Sequence, residues 1–150
     1  MAAACVLCLG NRWHGDDGFG HHVFQRLHVL HALPPSVTLV DAGVAGLNAL
    51  GWLDGCAKAV LVDGVRVGAR VGTVHRLDAS ELESSGDELS LHELGLASLL
   101  AAHAAVGDVA ELVVIGAEVG PVRAFTDVLS PPLRAAVPTA AAMVAGEVVT

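Results

Sequence analysis

Short apolar runs alternate along the chain with stretches whose apolar residues recur every three or four positions. The uncharged run Ala4–Leu9 predicts a buried strand. A Gly/Asp loop follows. Then Phe19, Val23, Leu27 and Leu30 mark one face of a helix over about Gly18–Ala32, ended by Pro34-Pro35. Val37–Val40 predicts a second strand closing on Asp41, Gly46–Leu53 a short helix, and Ala59–Val62 a third strand closing on Asp63. The β-rich alternation within Gly72–Leu77 fits an extra strand, whereas the acidic, serine-rich Asp78–Glu88 reads as a loop. A helix over Leu91–Val106, a strand over Glu111–Ile115 and a last helix over about Pro131–Val148 complete the order. Pro138 is expected to kink or delay that last helix.

Strands alternating with helices imply one α/β domain over residues 1–150, with a mostly parallel sheet covered by helices on both faces. Composition narrows the core. Apolar residues make up 53% of the chain but aromatics only 3%, so Val, Leu and Ala must fill it. A net charge of −8 with a single lysine, Lys58, repels phosphate backbones and excludes nucleic acid as a partner. No apolar stretch approaches the ~20 residues of a membrane span. The segment MAAACVLCLG lacks the basic flank and cleavage site of a signal peptide, so the cytoplasm is the expected location. Cys5 and Cys8, three apart in a strand, face opposite ways and read as buried hydrophobes rather than a metal or disulfide pair.

In open parallel sheets ligands sit beyond the carboxyl ends of the strands. Here those ends carry Asp16 and Asp17, Asp41, Asp63 and Glu118. Clustered carboxylates raise one another's pKa unless a cation or shared proton relieves them. Carboxylates alone suit magnesium or calcium; an added imidazole shifts the preference toward nickel, iron, manganese or zinc. His92 supplies one. Ser90 and Glu93 have capping-box spacing, which puts His92 in the first turn of a helix, where the dipole favours the neutral ring. Each residue also has a plainer reading. Asp16 reads as the N-cap of the first helix and Asp17 as the ligand, Asp41 and Asp63 read equally as strand-end residues bonding loop amides, and His92 taken alone reads as a surface residue. His14, His21, His22, His28, His31, His75 and His103 read as solvated or helix-face residues. The loop GDDGFG matches neither phosphate-binding glycine motif, and its acids would repel a pyrophosphate, which disfavours nucleotides.

These residues resemble those of the nickel–iron hydrogenase maturation endopeptidases. That family opens with a strand and G-N-x-x-x-x-D-D/E-x-x-G, matched by Gly10, Asn11, Asp16, Asp17 and Gly20. D-G-G-T-x-G appears as DAGVAG with Asp41, Gly43 and Gly46, and V-D-A/G as LVDGV with Asp63. G-T-V follows at Gly72–Val74, then S-x-H-x-x-G-L as Ser90, His92, Gly95 and Leu96. The tail LSPPLRAAVP is similar to L-S-P-x-V-x-x-A-x-P. Each motif is short, but together they run in order over nearly the whole chain.

The resemblance implies a three-layer α/β/α sandwich around a mixed, mostly parallel five-stranded sheet. It implies metal contacts and catalysis by Asp17, Asp63 and His92, with Asp16, Asp41 and Glu118 as further cleft candidates. The implied reaction is removal of a C-terminal extension from the hydrogenase large-subunit precursor after nickel insertion, the nickel being carried by that substrate. In isolation another divalent metal would suit the same site. Which group activates the water is left open, and no Ser or Cys beside a base offers acyl-enzyme chemistry. Two departures stand out: Val44 replaces the threonine of D-G-G-T, and G-I-x-P-E has become GAEVG, with Glu118 one place early. Trp13 and His14 stand where aliphatic residues are common, either touching substrate or covering the cleft. The altered GAEVG keeps a second reading in view, a non-catalytic nickel-binding checkpoint that docks on the immature subunit. A metal-dependent amidase of unrelated peptides is a third.

Overall fold

The computed structural model describes residues 3–44, 46–79, 96–107 and 110–149. Its strands are β1 (Ala3–Leu9), β2 (Thr38–Gly43), β3 (Cys56–Val65), β4 (Val74–Asp78) and β5 (Glu111–Glu118). They lie in the order β2-β1-β3-β5-β4; β4 is an antiparallel edge strand and the other pairings are parallel. The helices are α1 (Phe19–Val29), α2 (Leu50–Leu53), α3 (Leu96–Ala105) and α4 (Pro131–Val148). Single 3-10 turns, Gly15–Gly18 and Gly46–Ala49, lead into α1 and α2.

The two-residue period of the strands builds two cores. Val6, Cys8, Val60, Val62, Val113 and Ile115 pack with α1 and α4 on one face. Cys5, Leu7, Leu9, Ala59, Leu61 and Val114 pack with α2 and α3 on the other. The result is the three-layer α/β/α sandwich, and Cys5 and Cys8 do part company between the layers. On α4, Leu133, Ala136, Ala140, Val144 and Val148 are the buried stripe, at helical spacing. Pro138 does not delay α4, which runs through it; Pro138 is exposed, so water reaches the carbonyl deprived of its donor.

Element ends differ from expectation for identifiable reasons. α1 stops at Val29 because His31 takes the left-handed conformation (φ 47°) usually given to glycine. The His31 N–H then donates to the His28 carbonyl and the Ala32 N–H to the Leu27 carbonyl, a complete Schellman closure ahead of the prolines. β5 extends to Glu118 because β3 and β4 both pair along it, Val65 opposite Glu118 and Val74 opposite Ala117. The expected start of a helix at Leu91, with Ser90, His92 and Glu93, and most of the Asp78–Glu88 loop lie outside the described residues.

Candidate active site

The chain passes from β1 to β2 on one side and then to β3 on the other, so the strand order reverses at β1 and opens a crevice at its carboxyl end. Gly10 sits there with φ +118° and donates its N–H to the Gly43 carbonyl at 2.9 Å. A Cβ on Gly10 would lie 2.1 Å from the Asp17 carbonyl oxygen and 3.2 Å from Asp63 Oδ1. Glycine is therefore what lets the Asp17 and Asp63 segments close on the end of β1. Gly20 has the same purpose one turn later: a Cβ would meet the Leu9 carbonyl at 2.2 Å, so α1 starts directly against β1.

Both acids at this point are inside the protein. Asp17 is 0% exposed and its Oδ2 accepts the Asn11 N–H at 2.7 Å; Asp63 is 1% exposed and its Oδ1 accepts the Gly64 N–H at 2.8 Å. Burial, and then the charges of Asp41 and Asp63, push the thiol of Cys8 well above its usual range. Burial and the neighbouring Cys56 do the same to Cys5. Neither thiol is a nucleophile under such conditions.

Asp16 and Asp17, adjacent in sequence, serve different parts of the fold. Asp16 does not cap α1, whose N-cap is Gly18 with no side-chain bond. Instead its Oδ1 accepts the Ser130 N–H and its Oδ2 the Ser130 hydroxyl, both at 2.7 Å. Ser130 is the N-cap of α4, so the carboxylate also lies at the positive end of that helix. The same loop is fastened again where the Thr126 N–H donates to the Trp13 carbonyl and the Gly15 N–H to the Thr126 carbonyl.

Asp41 is the acid that opens outward. Its side chain is 30% exposed, and it lines a cavity of about 380 Å³ together with Gly10, Asn11, Trp13, His21 and Val44. His21 Nδ1 lies 2.7 Å from Asp41 Oδ2. Glu118, 3% exposed, turns to the β3–β4 loop, where it accepts the Val67 and Gly68 N–H groups and pairs with His75 Nε2 at 3.1 Å.

Three of the histidines read as solvated or helix-face residues have partners within the protein. His21 is bound to Asp41 and His75 to Glu118, and His103, 2% exposed, accepts the Ala110 N–H at Nε2. Their partners lie on other elements or beyond a turn, and no local spacing announces them. His92 lies outside the described residues, and among those described no three His, Cys, Asp or Glu side chains converge as a metal site. The donors available for a metal at the crevice are the hard oxygens of Asp17 and Asp63, which fit a divalent cation. Among the described residues no helix is long and apolar enough to cross a membrane.

A family model described as hydrogenase maturation protease matches residues 21–147. A hydrogenase expression/formation protein, HupD, of Bradyrhizobium diazoefficiens is 27% identical over 132 residues, covering 86% of this chain and 69% of its own. The hydrogenase maturating endopeptidase HybD of E. coli superposes with a TM-score of 0.79 at 25% identity, over 95% of this chain and 89% of that one. The nickel–iron hydrogenase maturation protease HybD of Thermococcus kodakarensis shares the fold, with a TM-score of 0.79 at 21% identity over 98% and 99% of the two chains. With its sheet order, its crevice at β1 and a family match across most of its length, the chain belongs to the hydrogenase maturation protease family.

Proposed function

We propose that this protein is the endopeptidase that removes the C-terminal extension of a nickel–iron hydrogenase large-subunit precursor once nickel is in place. Asp17, Asp63 and His92 engage the nickel carried by that substrate, and water cleaves the peptide bond beside it. The observation that carries the reading is a pair of buried acids, Asp17 and Asp63, whose segments both close on Gly10 at the strand-order reversal of a chain of this family. A bound divalent metal polarises a nearby carbonyl and offsets the charge of those acids. The chain's own task is to hold the acids. The Asn11 N–H fixes Asp17 and the Gly64 N–H fixes Asp63, and attack by water is the chemistry this reading assigns.

The test is the intact mass of the host's own precursor, with and without nickel, after incubation with this protein. Loss of a C-terminal fragment only from the nickel-loaded form is expected. Unchanged mass with a stable complex would overturn it in favour of the checkpoint, which the GAEVG departure favours: Glu118 there is committed to loop amides and His75.

A further inference from the structure

The Asp17–Asp63–His92 set does not include Asp41, the acid that faces a cavity beside Gly10. Asp41 lines the 380 Å³ cavity, and Gly10, which abuts Asp63 Oδ1, lines the same cavity. The Asp41 pocket therefore adjoins the buried acids across one glycine. Behind Asp41 stands His21, in the first turn of α1 and 7% exposed. Its Nδ1 is 2.7 Å from Asp41 Oδ2, and among the described residues its Nε2 is buried with no hydrogen-bond partner. A carboxylate accepts only, so Nδ1 carries a proton and donates it to Asp41 Oδ2. Burying a polar nitrogen without a partner is costly, and an aliphatic side chain would fill the same space without that cost. What the imidazole supplies and an aliphatic cannot is one rigid N–H aimed at Asp41.

We infer that His21 is a positioning residue for Asp41, and that Asp41 is the base of the cleavage reaction; the inference rests on the proteolytic reading above. With Oδ2 held by His21, Oδ1 is the oxygen left for the cavity. It takes a proton from water as the water oxygen bonds to the scissile carbonyl carbon. The carbon–nitrogen bond then breaks as the same proton passes to the leaving nitrogen, giving a carboxyl and an amine and restoring Asp41. No further reactant is needed.

The test compares His21→Leu, His21→Asn, His21→Gln and Asp41→Asn in single-turnover cleavage of nickel-loaded precursor, with thermal melting and precursor binding recorded for each. Asp41→Asn is expected to lose about 10²–10⁴-fold in rate, the usual worth of a general base. His21→Leu and His21→Gln are expected to lose about 10- to 100-fold, the range for removing a partner that orients a site's ligand. In His21→Asn the amide nitrogen takes the place of Nδ1, and activity is expected within a few-fold of wild type. Full activity in His21→Leu, or equal losses in Asn and Gln variants, would overturn the inference while leaving wild-type cleavage, and so the proteolytic reading, intact. A wild-type protein that cleaves nothing would instead overturn that reading. Imidazole nitrogen-15 spectra of the free protein give a check independent of activity: a proton on Nδ1 is expected, and a ring protonated on Nε2 alone would overturn the assignment.

Discussion

Asp16 and Asp17 can be separated by experiment. Asp16→Ala deletes two charge-assisted hydrogen bonds of 2.7 Å to the N-cap of α4. Bonds to a charged group are worth about 1.5–3 kcal/mol each. Asp16 is 7% exposed, but Ser130 is only half-buried, so water recovers part of the loss. A net cost of about 3 kcal/mol follows, or a fall in Tm of roughly 6–12 °C for a chain of this size. Ser130→Ala, which removes only the hydroxyl bond, should cost about 1 kcal/mol. Asp16→Asn keeps an acceptor for the Ser130 N–H and turns its amide to the hydroxyl, so it should stay within about 1 kcal/mol of wild type. Urea melts followed by circular dichroism measure all three, and Asp16→Ala, assayed well below its Tm, should still cleave. An Asp16→Ala protein as stable as wild type, or an additive Asp16→Ala/Ser130→Ala double variant, would refute the reasoning.

Asp17→Asn and His92→Ala should each abolish cleavage of nickel-loaded precursor by intact mass, with Tm changing far less than in Asp16→Ala. Gly10→Ala should fail to fold or lose all activity, because its Cβ would sit 2.1 Å from the Asp17 carbonyl oxygen at φ +118°; soluble expression and a melt decide. Glu147 receives Arg76 Nε at 2.7 Å and Lys58 Nζ at 3.0 Å, tying α4 to β4 and β3. The bonds from Arg76 come first in holding its carboxyl down at about 2, against an ordinary 4.5. A depressed carboxyl stabilises fully above its unfolded pKa and loses that contribution as pH falls through the folded one. Glu147→Gln should thus destabilise by about 1 kcal/mol or less near neutrality, given solvent screening, and the two melting curves should converge toward pH 2.

The strands were readable because a buried parallel strand has a signal confined to itself: Val60, Leu61 and Val62 are apolar on both faces and lie in both cores. The stripe of α4 was readable for the same reason. What the sequence concealed depended on distant partners. Asp16 looked like a cap for the helix next to it because its true partner, Ser130, is 114 residues away. His21 read as a solvated or helix-face residue and not as a partner of Asp41, which approaches it from the sheet, and the amides of Val67 and Gly68 that Glu118 accepts arrive from the β3–β4 loop. The early end of α1 depended on His31 accepting a conformation that its side chain disfavours. The first loop and the strand-end acids could be identified, but their division into loop fastener, buried pair and cavity-facing acid required the fold.

The fastening of the first loop by Thr126 and Ser130 bears on when the protein becomes competent. The segment carrying Asp16 and Asp17 is synthesised more than a hundred positions before the residues that hold it. At about 5–20 residues per second that gap is on the order of 10 s. Until it closes, β1 lacks both the loop lock and the helix whose N-terminus Asp16 caps, and the acids have no fixed address. Chains not yet extended past Ser130 are therefore expected to be inert, since the loop lock and the start of α4 come into being together.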